Sequence, residues 1–522
     1  MSSYPGPRPP APGPLASLHG HGSNIERMKQ MNTIHTSNTK FIDDTGRQRI
    51  FNGVNIVYKD YAEDEDGVIR FKTPITDEVM AKLAKNGINM IRLGVTWAGI
   101  EPEPGVYNTE YLDGVKNALK ICEKYGVYAY VDWHQDLYTK SNINVGDGAP
   151  SWACVKCLSK PRAPYIIWAE GYFVDGYIHA CFDAFWDNKE ILGEGLQDRY
   201  CDMLKYTVRY LSDCNAIMGY DIFNEPFPGK DGGKVFRQLV KRGISTGLFS
   251  KRVDRKKIIK DVMGGNIMDA LSVADDSVVY HHVIEAGYDL IKKFDIEKYY
   301  PFLMKAAAAI RSVKENGVIF AENSYYSNLG IPYSIPVPTD ENGERAKDFA
   351  FAPHGYDITV DTPLTNEASP YRIDHIFNQH EANQERLGLP VLVGEWGGMV
   401  DGGEKYPALE HLVDKFDRNK WSNTYWHYFD NFCDSKIGEI ICRPLPVAVA
   451  GEIKYYRYDR NTKTFDLSYV GDADVKTSTL VYLPAEPKKV YSTKKYNIKD
   501  TANGLMLQVY AGKGDCFIKV EF

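Results

Sequence analysis

The sequence predicts an α/β protein: a closed parallel (β/α)8 TIM barrel followed by a small C-terminal antiparallel β-sandwich. Three observations lead there. Eight apolar runs of strand length alternate with amphipathic stretches of helical period. The runs lack in/out alternation, as strands covered on both faces do. After about residue 440 the helical period stops, and short strands separated by turn residues take over.

Residues 1–32 come first, rich in Pro, Gly and Ser, a composition that cannot build a core. They read as a disordered leader and lack the apolar stretch of a signal peptide. The eight strand candidates are 50–57, 90–97, 128–136, 217–226, 318–323, 349–357, 390–396 and 422–430. Helices fit between them. TDEVMAKLAKNG has acids in its first turn and closes on Gly87, and TEYLDGVKNALKICEKYG repeats the design and closes on Gly126. Further helical stretches cover about 196–212, 298–316, 369–387 and 405–420. Two connections are too long for a plain βα unit. They span 137–195 and 227–297, and both leave the C-terminal end of the barrel, where active sites are built. The barrel is thus assigned to 33–440 and the sandwich to 441–522, joined through CRPLPVAVAGE.

Bulk properties narrow the function. A formal net charge of −7 argues against a nucleic-acid partner. No run approaches the roughly 18 apolar residues of a membrane span. Nine cysteines, odd in number and scattered, do not describe a disulfide scaffold. Cys154 and Cys157 form a lone C-x-x-C without a second pair, which reads as a local disulfide or plain thiols rather than zinc. His281-His282 and His19/His21 lack convergent partners, and no glycine-rich phosphate loop follows a strand. Neither metal nor cofactor is expected.

The chemistry lies at the strand ends, which a barrel brings to one mouth. Reading only those positions gives Asn55, Arg92, His134, Asn224, Glu225, His354, Tyr356, Glu395 and Trp426. Polar groups ending apolar strands are costly unless used or paired. One Glu-Pro alone is usually a loop carboxylate, and one Trp usually packing; so many on one barrel reverse that reading. Glycoside hydrolysis needs one carboxyl to protonate the leaving oxygen and another to attack or direct water. Strands four and seven lie nearly across the mouth, so Glu225 and Glu395 can face each other over a sugar ring. Arg92 and Tyr356 suit a carboxylate kept ionised, whereas Glu225 can hold its proton near neutral pH. Asn224 can donate to a sugar hydroxyl, and Trp426 offers a face for stacking.

This set resembles glycoside hydrolase family 5. The family's eight recurring residues match Arg92, His134, Asn224, Glu225, His354, Tyr356, Glu395 and Trp426 in order, with FNEP at 223–226, H-x-Y at 354–356 and GEW at 394–396. The resemblance spans about residues 50–430. It implies Glu225 as acid/base, Glu395 as nucleophile, a covalent glycosyl-enzyme, and carboxyls about 5–5.5 Å apart. The RP-x-P-x-A-x-AG junction is similar to that of endoglycoceramidases and their steryl-glucosidase relatives, and His134-Gln135-Asp136 resembles the HQD of endoglycoceramidases. Lys59, Asp136 and Trp186 match sugar-contacting positions of those enzymes.

The resemblance therefore implies hydrolysis of the bond between glycan and ceramide in glycosphingolipids. A steryl β-glucosidase or β-glucanase is the alternative, and a non-catalytic glycolipid-binding protein a remote one. It further implies a secreted protein, although no signal peptide is recognised; a monomer is expected. Residues 229–262 carry eleven Lys or Arg against three Asp, so peripheral contact with a membrane or micelle surface is a further expectation.

Overall fold

The computed structural model describes residues 31–57, 61–63, 69–71, 73–143, 145–155, 161–165, 167–264 and 272–522. The predicted leader and Lys59 fall almost wholly or wholly outside these, as does Cys157. The apolar runs form eight strands: β1 (Asn52–Val57), β2 (Met90–Val95), β3 (Tyr128–Trp133), β4 (Ile217–Asp221), β5 (Val318–Glu322), β6 (Phe349–Ala352), β7 (Leu392–Val393) and β8 (Ser422–Tyr425). All neighbours pair in parallel, with Asn55 opposite Arg92, and β8 returns to β1. The ring closes between β6 and β7 through Phe351 and Val391, then through His354–Gly355 against Glu395–Trp396. Every strand residue of β2, β3, β6 and β8 is buried, which explains the missing alternation.

Six helices form where the sequence predicts them, α1 (Asp77–Lys85), α2 (Thr109–Lys124), α3 (Leu196–Tyr210), α6 (Tyr300–Arg311), α7 (Pro370–Leu387) and α8 (Pro407–Asn419), while α4 (Lys230–Phe249) and α5 (Arg255–Met263) lie in what the sequence marked only as a long connection. The Thr76 hydroxyl accepts the Val79 N–H at the start of α1, and Gly87 leaves it at φ +81°. A Cβ on Gly87 would sit 2.4 Å from the Tyr482 ring, so that turn also seats the C-terminal strands. The long connection after β4 is helical, built from α4, α5, Ser277–Ile284 and Tyr288–Phe294. No helix among the described residues is long and apolar enough to cross a membrane.

The C-terminal strands form two antiparallel sheets, with one difference from expectation. Ile34–Ser37, Lys40–Asp43 and Gln48–Arg49 belong to the seven-stranded sandwich sheet, because Gln48–Arg49 pairs with Leu445–Val449. The stretch 33–49 is therefore sandwich, not barrel. Phe41 of this hairpin meets Phe51, which meets Tyr128 edge to face, closing the barrel floor. The RP junction has an equally physical role. The buried Arg443 guanidinium pairs with Asp417 at the end of α8 (Nε to Oδ2 3.0 Å) and donates to Asn52 of β1 (3.2 Å).

Candidate active site

Arg92 is fully buried at the centre of the barrel mouth. Its guanidinium reaches Glu395 (2.5 Å), Glu322 (2.6 Å), Asp221 (2.9 Å) and Asp132 (3.0 Å), and donates to Asn55 and Asn224. One cation among four buried carboxylates leaves negative charge to neutralise. Two histidines and a proton do so. His134 donates to Asp132 (2.8 Å); burial opposes its charge, but Asp132 and Asp136 outweigh burial and hold it up to about 10. His354 is likewise held well above its ordinary value against burial by Glu322 and Glu395. Burial and the neighbouring Glu322 push Asp221 far above the carboxylate range. Glu322 stays ionised: burial opposes this, but His354 and Arg92 overcome it.

The two predicted carboxyls sit above this layer. Glu395 follows β7 and takes Arg92 on Oε1 and the Tyr356 hydroxyl on Oε2 (2.8 Å). Glu225 lies just beyond β4 with φ +42°, a left-handed conformation that L side chains seldom adopt. Its backbone N–H is fastened to Glu322 Oε2 at 2.6 Å, which holds that turn. Glu225 Oε1 accepts from Asn328 (2.6 Å) and from His354 Nδ1 (3.0 Å). Burial is the main reason its carboxyl rises to about 7, opposed by the His354 hydrogen bond and reinforced by Glu395. His354 Nδ1 is 3.7 Å from Glu395, and an oxygen of each carboxyl lies within 4.8 Å of one on the other.

Glu225, Glu395, His134, Asp136, Tyr356 and Trp426 all line one cavity of about 460 Å³. Trp426 lies parallel to the His134 imidazole, 5.6 Å between centroids, and lines the cavity. Asn224 sits below, its amide oxygen held by Arg92 and its nitrogen donating to the Gln135 carbonyl (2.9 Å). Trp186 differs from expectation. It is 6% exposed, its indole N–H donates to the Phe227 carbonyl, and it packs among Phe223, Phe294 and Phe302. Ending an apolar helix with both faces covered, it is core of the loop lobe, not a sugar contact.

Sequence reading passed over Asp132, Asp221, Glu322 and Asn328. The first three had a signal: each is an acid inside or ending an apolar strand (YVDW, YDIF, FAEN), where an unpaired carboxylate is costly. Asn328 had none, since it reaches Glu225 from the short 3-10 helix Tyr325–Leu329 after β5. Among the described residues, His354 joins two carboxylate groups close enough to meet at one ion. A protonated imidazole offers a cation no lone pair, so these groups suit proton handling better than ligation.

The family model for cellulase (glycosyl hydrolase family 5) matches residues 42–246 and 295–431, and that of the family 5 C-terminal domain matches 443–516. An endoglycoceramidase of Cyanea nozakii is 24% identical over 494 residues, covering 86% of this chain and 84% of its own. That of Hydra vulgaris is 27% identical over 487 residues, covering 86% and 80%. The structure of endo-glycoceramidase II from Rhodococcus in complex with ganglioside GM3 superposes with a TM-score of 0.67 at 20% identity, covering 93% of this chain and 99% of that one. Sterylglucosidase 1 of Cryptococcus neoformans gives the same TM-score at 16% identity, so these structural likenesses speak for the fold. The chain belongs to glycosyl hydrolase family 5 and is a glycosidase carrying that family's barrel and C-terminal domain.

Proposed function

We propose that the enzyme releases the glycan from ceramide in glycosphingolipids by a retaining, two-step displacement. The observation that carries this reading is the mixed polar and apolar lining of the cavity. Its lining joins Asp136, His134, Trp426 and both glutamates with a set of apolar side chains, Ile167, Trp168, Phe173, Leu329, Ile358 and Val360. Leu329 adjoins Asn328, which binds Glu225, so apolar surface begins beside the proton donor, where the leaving group must sit. The endoglycoceramidase relatives, spanning over four-fifths of this chain, support the same aglycone.

The steps follow from the hydrogen bonds. Asn328 and His354 both donate to Glu225 Oε1, so the acidic proton resides on Oε2. Glu395, paired with Arg92 and oriented by Tyr356, attacks the anomeric carbon. The bond from that carbon to the ceramide oxygen breaks, and Glu225 gives its proton to the oxygen, releasing ceramide as the alcohol. Glu225, now a carboxylate, takes a proton from water as the water oxygen attacks the same carbon and frees Glu395. Two inversions give net retention, as expected of carboxyls this close.

Incubation with a ganglioside should yield the intact oligosaccharide and ceramide together by mass spectrometry, the sugar first appearing as the β-anomer by NMR. Glucosylceramidases of fungi match parts of the chain; that of Aspergillus fumigatus is 39% identical over 187 residues, 29% of this chain. Turnover of glucosylceramide alone would therefore restrict the glycone to one sugar. Turnover of steryl glucoside or β-glucan, with both sphingolipids untouched, would overturn the aglycone.

A further inference from the structure

We propose that the outer face of α4 and α5 is a docking surface for an anionic lipid bilayer, placed to pass a lipid tail into the catalytic cavity. This rests on the lipid aglycone proposed above but is tested separately from it. On α4, Val240, Ile244 and Leu248 recur every fourth residue, and Phe249 ends the helix; they are 44%, 61%, 42% and 80% exposed. Spacing of four keeps a helix's side chains on one stripe. On α5, Ile259 and Met263 are exposed with the same spacing. The opposite side of α4 is occupied, since Val235 is fully buried. An apolar stripe left to solvent on a helix of 20 residues asks for a partner.

Charge identifies the partner. In a protein of net charge −7, residues 229–262 hold eleven Lys or Arg and three Asp. Lys230, Lys234, Arg252 and Lys257 have acidic neighbours. Arg237, Lys241, Lys251, Arg255, Lys256 and Lys260 are exposed and have no acidic partner among the described residues. Exposed apolar side chains interleaved with unneutralised cations are what a helix lying in a headgroup layer presents. Each such cation near an anionic surface contributes about fivefold to partitioning.

The stripe also leads to the active site. Its first residue, Phe236, shares a shallow groove with Val240, Ile244, Leu248 and Phe249. The Phe236 ring stacks on Phe173 at 4.4 Å, and Phe173 lines the catalytic cavity. The two stacked rings thus link the exposed face of α4 to the lining of the catalytic cavity.

The test is flotation of the full chain with phosphatidylcholine vesicles, with and without 30% phosphatidylserine, for wild type and two variants. One is Lys251→Glu/Arg255→Glu/Lys256→Glu/Lys260→Glu; the other is Ile244→Ser/Phe249→Ser. All six positions are exposed, so unfolding midpoints should match wild type. Wild type should float with the anionic vesicles only. The quadruple variant should bind at least about 100-fold more weakly, and the double variant should also lose binding. Hydrolysis of vesicle-held ganglioside should fall in parallel, while that of detergent-dispersed ganglioside stays unchanged. Vesicle binding unaltered in both variants would overturn the proposal. So would a wild type that ignores vesicles but forms a dimer, by sedimentation, that either variant abolishes. Binding as proposed with no hydrolysis of any glycolipid would keep the surface and reject the aglycone instead.

Discussion

Glu322 offers the sharpest test of how the site is held. It lines no part of the cavity, yet it accepts the Glu225 backbone N–H at 2.6 Å, pairs with Arg92 at 2.6 Å and lies 3.2 Å from His354 Nε2. Glu322→Gln keeps the shape and removes the charge. Whichever way the amide turns, its NH2 faces one of these donors. Losing one charge-assisted hydrogen bond costs about 1.5–3 kcal/mol. If that bond serves the transition state, kcat falls by roughly 10- to 150-fold. KM should change little, because the residue touches no substrate. The pH profile adds a readout that simple loosening would not move. Without the anion, His354 binds its proton less firmly, and its bond to Glu225 is among the causes keeping that carboxyl down. The alkaline limb of kcat should therefore move upward from about 7. Steady-state kinetics from pH 4 to 9, with unfolding midpoints for both proteins, measure both effects. A variant with kcat within threefold of wild type and an unmoved limb would refute the positioning role.

Two further outcomes follow from the same geometry. Glu225→Gln should lower kcat on glycolipid by about 10²–10⁴-fold, spare the first step on an aryl glycoside with a good leaving group, and with azide yield a β-glycosyl azide. Hydrolysis of glycolipid at near wild-type rate would remove Glu225 from the acid role. Arg443→Ala should lower stability to urea by about 3–5 kcal/mol, because the buried Asp417 is left uncompensated. Adding Asp417→Ala should restore part of that loss; a strictly additive double variant would mean the pair contributes no coupling.

The sequence by itself determined the barrel, its strand order and the residues at its mouth. Apolar runs such as MIRLGV and YAYVDW have no polar face to show water, so they can only be strands covered on both sides. A polar residue at the end of such a run, Glu225 or Glu395, is legible because it defies its neighbours. The tertiary structure decided what depends on packing between distant segments. Trp186 and Trp426 are alike in sequence, but one end of its helix turns the first into an aromatic core while the second faces the cavity. The strands at 34–49 join the sandwich because an edge 398 residues away accepts their hydrogen bonds, which no local pattern encodes. The proton on Glu225 is set by how much water the fold excludes and by His354, Asn328 and Glu395 arriving from three other elements. Residue type announces which groups can do the chemistry; burial and neighbours, supplied only by the folded chain, assign each its charge.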